Sequence, residues 1–308
     1  MQVFEWGPAQ GEKVLLLHGI STPCVALAGL AEALVGRGYR VMLFDLFGRG
    51  YSDAPADLPY DLRLYTTQIL LALASSPLAW TGTGGGGGGG FHLVGYSLGG
   101  GLAVPFARYF AGLLKSVVVI AGGGLIRSEH VGWRSRVLYS EATARWVPDR
   151  LVRWFVRRRL MPRKTSEGEG KEEEEEEEGR RGRNSVAVTE TEMAKEVVEV
   201  KGRHRNEKNS DATGGQSFDN AVLLARRPEH TVSSVMEWQL RHHEGFIPAF
   251  VSSIRHAPIY DQKEDWAALG QILAERREKQ GWEDTVDRSP GLSGGKILLV
   301  LGGSTRSS

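Results

Sequence analysis

The clearest chemical signal in the sequence is a serine flanked by glycines, in the segment Gly95-Tyr96-Ser97-Leu98-Gly99-Gly100. This G-x-S-x-G pattern lies between a short apolar run and a segment with helical spacing. In such a strand-to-helix turn, small residues two positions before and after the serine let the two backbones approach closely. The hydroxyl then projects at the helix N-terminus, where N–H groups and the helix dipole favour negative charge. We therefore predict that Ser97 is a nucleophile. The alternative is a chance match in a chain with 40 glycines.

A second signal, His18-Gly19-Ile20, directly follows another apolar run. The glycine lets the backbone turn so that the N–H of Ile20 faces Ser97. Together with the N–H of Leu98, it would form an oxyanion hole, a pair of donors that stabilises the negative oxygen of a tetrahedral intermediate. We expect the His18 side chain to orient this loop and not to act as the general base.

The third motif runs from Asp45 to Asp53 and reads D-L-F-G-R-G-Y-S-D. Either aspartate could be a catalytic acid. Carboxylates beside a Gly-Arg-Gly turn more often cap helices and connect loops, because they accept hydrogen bonds from nearby backbone N–H groups. We therefore expect Asp45 and Asp53 to be structural.

These motifs must be positioned by a framework of apolar runs that alternate with helices. The runs predicted as strands are Val14–Leu17, Tyr39–Phe44, Phe91–Gly95, Ser116–Ile120 and Lys296–Leu301. Helical spacing is found in Thr22–Val35, Leu62–Leu73 and Leu98–Leu113. Near-continuous apolar strands separated by helices are typical of a mostly parallel sheet covered on both faces, so the predicted class is α/β.

The spacing of these elements divides the chain into three parts. Residues 1–124 are predicted as the N-terminal part of the core, 125–287 as an inserted cap region, and 288–308 as the return to the core. The insertion is too long for a simple crossover. Helices are predicted within it at Pro148–Met161 and Val232–Arg241, with Gly245–Arg255 as a further candidate.

Two low-complexity tracts interrupt this framework. The first is the run Gly84–Gly90, and the second spans about 163–216 and includes Glu172–Glu178 followed by a basic cluster. Like charges repel, and the second tract has little apolar material to bury. We predict that both tracts lack packed structure. A docking tail for a charged partner is the alternative for the second.

Composition excludes several classes of protein. The 38 Lys and Arg against 37 Asp and Glu give a formal net charge of +1, which argues against a nucleic-acid binder. One cysteine excludes a disulfide framework and a cysteine-rich zinc module. No metal or other cofactor is predicted. No segment resembles a transmembrane helix or a secretory signal, so a cytoplasmic location is the default expectation.

The segment Asp149–Met161 combines five arginines with apolar residues. A basic amphipathic helix of this kind can lie on an anionic membrane. A cap helix that packs its apolar face on the core explains the same pattern more simply, so membrane-surface contact is possible but is not the favoured interpretation. The apolar residues in question are Leu151, Trp154, Phe155 and Leu160.

Taken together, His-Gly, Asp-x-x-Gly-x-Gly-x-Ser-Asp and Gly-x-Ser-x-Gly-Gly, in that order, resemble the α/β-hydrolase superfamily, in its capped serine-hydrolase branch. The resemblance covers Val3–Gly124 well and Glu237–Gly303 more loosely. It implies a parallel sheet with a helical cap over a pocket for a small acyl substrate. It also implies a serine–acid–histidine triad in which histidine takes the serine proton and the acid holds the histidine.

The chain departs from this family pattern at the triad acid and histidine, neither of which can be identified. Thr305 stands near the position expected for the acid, and Glu129 is the candidate at a variant position. No histidine follows the last predicted strand. The resemblance therefore implies a chain truncated at both ends, with the last strand and its helix missing. Substitute bases would be sought first at His242, His243 and His256.

Two functions remain open from the sequence. The first is a serine hydrolase that acts on an ester, amide or lipid carbonyl through an acyl-enzyme. The second is a catalytically incomplete member of the same superfamily that acts, if at all, as a binding protein. The missing acid and histidine are the feature that separates them.

Overall fold

The computed structural model describes residues 1–81, 90–124, 149–161, 220–280, 292 and 296–301. Within these ranges, six strands form one sheet in the order β1-β3-β2-β4-β5-β8, and a separate two-stranded hairpin pairs β6 with β7. The strands are β1 (Val3–Trp6), β2 (Lys13–Leu17), β3 (Arg40–Phe44), β4 (Phe91–Tyr96), β5 (Leu114–Ile120), β6 (Val222–Leu224), β7 (Arg227–Thr231) and β8 (Leu298–Val300).

The large sheet is parallel except at one edge. Strand β1 runs antiparallel to β3, whereas β3, β2, β4, β5 and β8 run parallel to their neighbours. The carboxyl ends of β2 and β4 therefore lie at the same edge of the sheet, with Leu17 opposite Gly95. This arrangement confirms the predicted mostly parallel α/β fold.

Helices separate the strands and cover the sheet. They are α1 (Ala28–Val35), α2 (Leu62–Ala74), α3 (Leu98–Tyr109), α4 (Asp149–Leu160), α5 (Val232–His242), α6 (Phe246–His256) and α7 (Lys263–Gln280). Short 3-10 turns lie at Cys24–Leu27, before α1, and at Ala111–Leu113, after α3. The predicted helices 22–35 and 98–113 are therefore each divided between a 3-10 turn and a shorter α-helix.

Alternate side chains of the central strands build a core on each face of the sheet. Leu15 and Leu17 of β2 belong to the larger cluster, which α2, α3 and α6 complete. Val14 and Leu16 point to the opposite face and pack in a smaller cluster with residues of α1. Burial on both faces explains why these strands read as continuous apolar runs.

Helix α4 turns a different stripe toward the core from the one expected. Three apolar side chains spaced four residues apart are buried: Val152, Val156 and Leu160. Three others are exposed, by 53%, 59% and 44%: Leu151, Trp154 and Phe155. The expectation that these three belong to the packing face is wrong, because residues spaced i, i+4, i+8 share one helical face and the three exposed residues lie off it.

Several sequence predictions fall outside the described residues: the tract 163–216, residues 84–89 of the glycine run, and the positions of Glu129 and Thr305. The division into 1–124, 125–287 and 288–308 stays a prediction. No helix within the described ranges is long and apolar enough to cross a membrane.

Candidate active site

Ser97 occupies a sharp turn between β4 and α3. Its backbone has φ 52° and ψ −114°, a left-handed conformation that side-chain-bearing residues rarely adopt. Crowding on both sides explains the neighbouring glycines, because a Cβ at Gly95 would collide with the Gly99 backbone, and one at Gly99 with the Leu17 carbonyl. Strain of this kind costs about 1–3 kcal/mol and is concentrated at functional sites.

Hydrogen bonds from neighbouring elements hold the strained turn in place. The N–H of Ser97 donates to the carbonyl of Ile120 at 3.0 Å. The Ser97 carbonyl accepts from the N–H groups of Gly101, at 3.1 Å, and Gly123, at 2.8 Å. The end of β5 and the segment after it thus fix the backbone that carries the hydroxyl.

The loop after β2 lies beside this turn. The N–H of Gly99 donates to the carbonyl of His18 at 3.1 Å, which joins the loop to the first turn of α3. The N–H groups of Ile20 and Leu98 have no acceptor within the described part of the chain. Two unpaired donors thus accompany the serine at the carboxyl edge of the sheet, which is where an oxyanion hole requires them.

His18 is fully buried and connects two loops. Its Nδ1–H donates to the carbonyl of Gly19 at 2.8 Å, and its Nε2 accepts from the N–H of Leu46 at 2.8 Å. Burial lowers the pKa of His18 to about 4, although the nearby Asp45 carboxylate opposes this shift. Both ring nitrogens are occupied, so His18 orients the loop and is not available as a base.

The two aspartates of the third motif make structural contacts. Asp45 is buried, and its carboxylate accepts from the N–H groups of Cys24, at 2.8 Å, and Tyr51, at 3.0 Å. Asp53 pairs with the N-terminal ammonium of Met1 at 2.9 Å, and this hydrogen bond lowers the pKa of its carboxyl. Neither carboxylate is hydrogen-bonded to a histidine of the described residues.

The histidines singled out as substitute bases are engaged elsewhere. His242 donates from Nδ1 to the carbonyl of Trp238 at 3.0 Å, one helical turn earlier. His243 donates from Nε2 to the carbonyl of Ser52 at 3.0 Å and so connects α5 to the loop after β3.

Within the described residues, no side chain forms a hydrogen bond with Ser97 Oγ. His92 lies at the amino end of β4, far along the strand from Ser97, and pairs with Glu12. His256 ends α6 and lines a cavity between α4 and α6. The structure thus places Ile20 and Leu98 at the same edge of the sheet as Ser97, and no base from the described residues is joined to Ser97. It also contains no cluster of histidine, cysteine and carboxylate side chains, in its described part, that could hold a metal ion.

A family model described as "Alpha/beta hydrolase family" matches residues 14–197, more than half of the chain. The chain belongs to the alpha/beta hydrolase family. The match includes β2, β3, the strained turn at Ser97 and the first turn of α3, the elements that build the site.

Individual relatives of this hydrolase share only part of its length. An uncharacterized protein of Mycobacterium bovis is 31% identical over 137 residues, 44% of this chain and 36% of the relative. The provisionally named carbamate hydrolase RutD of Variovorax paradoxus is 32% identical over 117 residues, 37% of this chain and 39% of the relative. The chain therefore matches little more than a third of either curated relative. The enol-lactonase of Burkholderia xenovorans LB400 is 16% identical, covering 88% of this chain and 74% of that chain, with a TM-score of 0.48.

A buried arginine that the sequence analysis did not single out supports the candidate site. Arg49 is fully buried, and its Nε donates to the carbonyl of Ile20 at 3.0 Å. Its terminal nitrogens donate to the carbonyl of Phe47 at 3.0 Å, the hydroxyl of Tyr65 at 2.7 Å and Ser253 Oγ at 2.8 Å. One guanidinium thus joins the candidate oxyanion loop to α2 and α6. The Gly-Arg-Gly turn marked the position, but no sequence signal indicated these partners.

Gln239 of α5 has a similar connecting role in the hydrolase. Its side chain is fully buried, donates to the carbonyl of Ser21 at 2.8 Å and accepts from the N–H of Gly50 at 3.0 Å. Since Ser21 directly follows Ile20, α5 and α6 both hold the loop that carries the candidate oxyanion donor. Nothing in the spacing of the sequence could have identified Gln239.

A second buried amide, that of Gln262, completes the hydrogen bonding of the helix that follows Ser97. Pro105 lies inside α3 and has no N–H, so the carbonyl of Gly101 lacks its usual partner one turn later. Gln262 Nε2 donates to that carbonyl at 2.6 Å and replaces the missing bond. The segment before α7 is therefore part of the support of α3, the helix that follows Ser97.

Proposed function

We propose that this alpha/beta hydrolase uses Ser97 as a nucleophile on an ester, amide or lipid carbonyl. Ser97 Oγ attacks the carbonyl carbon, and the carbonyl oxygen becomes an oxyanion that accepts hydrogen bonds from the N–H groups of Ile20 and Leu98. Collapse of this intermediate breaks the bond to the leaving group and leaves an acyl-serine, which water then cleaves. The hydroxyl proton must pass to a base and then to the leaving group.

The observation that carries this proposal is the strained backbone of Ser97 beside two N–H groups without acceptors. A buried structural serine would be expected to donate its hydroxyl to a neighbouring acceptor, and in the described chain Ser97 Oγ has none. The helix N-terminus adds a favourable field for negative charge at the same place. These features fit nucleophilic chemistry better than a purely structural turn.

The proposed substrate class is a small acyl compound. Side chains of the cap set the pocket in such folds, and no cap residue of this chain identifies one substrate. The Variovorax paradoxus relative is named for carbamate hydrolysis, and a carbamate also presents a carbonyl to a serine. A carbamate therefore belongs in the substrate panel beside simple esters.

A second candidate function is a binding protein that has lost turnover. It is favoured by the lack of a histidine or carboxylate bonded to Ser97 within the described residues. Removing triad members typically leaves only about 10³–10⁴-fold acceleration over water, from the oxyanion hole and binding alone. On this basis we expect the 308-residue chain to turn over p-nitrophenyl esters slowly and to react weakly with a fluorophosphonate.

The deciding experiment compares wild type, Ser97→Ala and Ser97→Cys by stopped-flow release of p-nitrophenol and intact-mass detection of the acyl-enzyme. A thiol near a helix N-terminus ionises without a general base, so the cysteine variant should acylate in a stoichiometric burst faster than the wild type. Ser97→Ala should give no burst. Cys24 serves as the internal control, because burial keeps its pKa well above that of an ordinary thiol.

The outcomes separate the two candidates. Rapid wild-type turnover that disappears in Ser97→Ala would favour the hydrolase, with a base supplied from residues outside the described ranges. A burst from Ser97→Cys with a slow wild type would indicate a competent turn and oxyanion hole without a base. Absence of acylation in all three proteins would refute the nucleophile proposal and leave the binding function.

A further inference from the structure

Helix α4 carries an apolar strip on the side that it turns away from the core. The strip consists of Leu151, Trp154 and Phe155, all of which are exposed. At 3.6 residues per turn, these three positions fall within about 100° of one another around the helix axis. Single exposed apolar residues are ordinary, whereas three large ones side by side and bordered by charges indicate a contact surface.

Arginines border and interrupt this strip. Arg150, Arg157 and Arg158 are exposed, and residues 150–161 include no carboxylate. The Arg158 guanidinium carbon lies 5.7 Å from the centre of the Trp154 ring, so a cation and an aromatic group project together. Arg150 and Arg157 lie within about 20° of each other around the helix axis, along one border of the strip. The outward side of α4 therefore presents apolar and cationic groups together.

A bilayer that contains anionic lipid offers a partner for both kinds of group. Large aromatic side chains favour the boundary between headgroups and acyl chains, where the indole N–H of a tryptophan also stays close to polar groups. An arginine can donate paired hydrogen bonds to a lipid phosphate while its aliphatic stem covers apolar surface. A helix that combines these groups lies in the plane of the membrane interface.

The acidic run Glu172–Glu178 of this chain complements only the charges of α4. Residues 165–183 contain no large apolar side chain, so this stretch could neutralise arginines without covering Trp154 or Phe155. An anionic bilayer covers the apolar strip and neutralises the arginines at the same time. The observations therefore favour the bilayer as the occupant of this surface.

We propose that the outward side of α4 binds the surface of a membrane that contains anionic lipid, with Trp154 and Phe155 among the headgroups and Arg150 and Arg157 against lipid phosphates. The opposite side of the helix is buried and stays packed on the core. Core packing and surface binding use different sides of α4, so the two interpretations of its sequence do not exclude each other. The inference does not depend on Ser97 as a nucleophile, because it rests on α4 alone.

Co-sedimentation of the 308-residue chain with lipid vesicles tests this proposal. Phosphatidylcholine vesicles with about 30% phosphatidylserine are compared with vesicles of phosphatidylcholine alone. The anionic vesicles are used at about 50 and about 300 mM sodium chloride, because salt screens the attraction between arginines and lipid. We expect saturable binding to the anionic vesicles at low salt, and at least about tenfold weaker binding without phosphatidylserine or at the higher salt.

Charge variants test the contribution of the arginines. The double variant Arg150→Gln with Arg157→Gln should weaken binding about twenty- to thirtyfold, at roughly fivefold for each cation near an anionic surface. The matched control, Arg37→Gln with Arg63→Gln, removes the same charge at exposed positions outside α4. Its affinity for the vesicles should stay within about twofold of the wild type, because charges far from the contact are screened.

Apolar variants test the strip without changing any charge. Trp154→Ala with Phe155→Ala should weaken binding at least about tenfold, because binding scales with the apolar area buried in the interface. The matched control, Leu58→Ala with Leu71→Ala, removes two exposed apolar side chains outside α4 and should bind like the wild type. Ser97→Ala should also bind normally, so loss of nucleophilic chemistry cannot be mistaken for loss of membrane binding. Far-UV circular dichroism checks that every variant is folded.

Three outcomes would overturn the proposal. The first is no binding to anionic vesicles at about 1 mM lipid, or equal binding by the wild type and both α4 double variants. The second is binding that appears only after Glu172–Glu178 is replaced by glutamines, which would assign the surface to that acidic run. The third is a dimer in sedimentation velocity that is lost in Trp154→Ala with Phe155→Ala and binds no vesicles, which would assign the surface to a second copy.

Discussion

Replacing Arg49 by lysine should destabilise the protein while keeping its charge. The guanidinium donates four hydrogen bonds, to Ile20, Phe47, Tyr65 and Ser253, from nitrogens that point in different directions. A single ammonium cannot reach all of these acceptors, and we expect about two bonds to be lost. At about 1.5 kcal/mol for each hydrogen bond to a charged group, the free energy of unfolding should fall by about 3 kcal/mol. That is a large share of the 5–15 kcal/mol, roughly, that is usual for a domain.

Urea unfolding followed by tryptophan fluorescence measures this change. The control is Arg63→Lys, since the Arg63 side chain is 86% exposed and its ion pair with Asp61 should contribute little. We expect the control to remain within about 0.5 kcal/mol of the wild type. A change below about 1 kcal/mol for Arg49→Lys would show that its four bonds do not support the loops as described.

Three further predictions follow from individual sites. Gly99→Ala should lower the free energy of unfolding by at least about 2 kcal/mol or prevent folding, because the new Cβ would meet backbone atoms. Gly270→Ala should raise it by about 0.5–1 kcal/mol, because position 270 lies in the interior of α7 with open space around its Cβ. Thermal melts of both variants test these expectations. His18 has a pKa of about 4 in the folded protein against an ordinary 6.5, so the contribution of the neutral imidazole to the free energy of unfolding is complete above pH 6.5 and is lost as the pH falls toward 4. The free energy of unfolding of the wild type should therefore drop by up to about 3 kcal/mol over that window, and that of His18→Gln should not. Parallel pH curves for the two proteins would contradict the assignment. Val156→Ala, on the buried stripe of α4, should lower the free energy of unfolding by about 1–3 kcal/mol, and Phe155→Ala, at an exposed position, by less than about 0.5 kcal/mol. The reverse order in denaturant titrations would mean that the other face of the helix packs against the core.

The serine turn could be predicted from sequence because its physics is local. Gly95, Ser97 and Gly99 lie within five residues. A side chain at Gly95 would meet the Gly99 backbone of the helix that follows the strand, and one at Gly99 would meet the Leu17 carbonyl at the end of the neighbouring strand β2. The parallel sheet could be predicted equally well, because strands that are buried on both faces appear in the sequence as continuous apolar runs. The predicted ends of helices were less accurate. Helix α3 ends at Tyr109, four residues before the predicted end at Leu113.

The polar network around the site could not be predicted, because its partners are distant along the chain. Arg49 meets Ser253 across 204 residues, and Gln239 meets Ser21 across 218. A polar residue in a helix gives no local sign that it will be buried or which loop it will contact. Helix α7, Lys263–Gln280, was also missed, because charges are spread along it and few of its apolar side chains are buried.

The bond from Gln262 to the Gly101 carbonyl has a consequence for the order of folding. The two residues are 161 positions apart, and closing a loop of that length costs roughly 4–5 kcal/mol of chain entropy. Helix α3 therefore acquires its last backbone partner only after a long-range contact forms, although Ser97 and Gly101 are near neighbours. During synthesis, the nascent chain would hold the serine turn in an incomplete helix until the ribosome has released Gln262. We expect α3 to be among the later elements to gain protection from amide exchange during refolding.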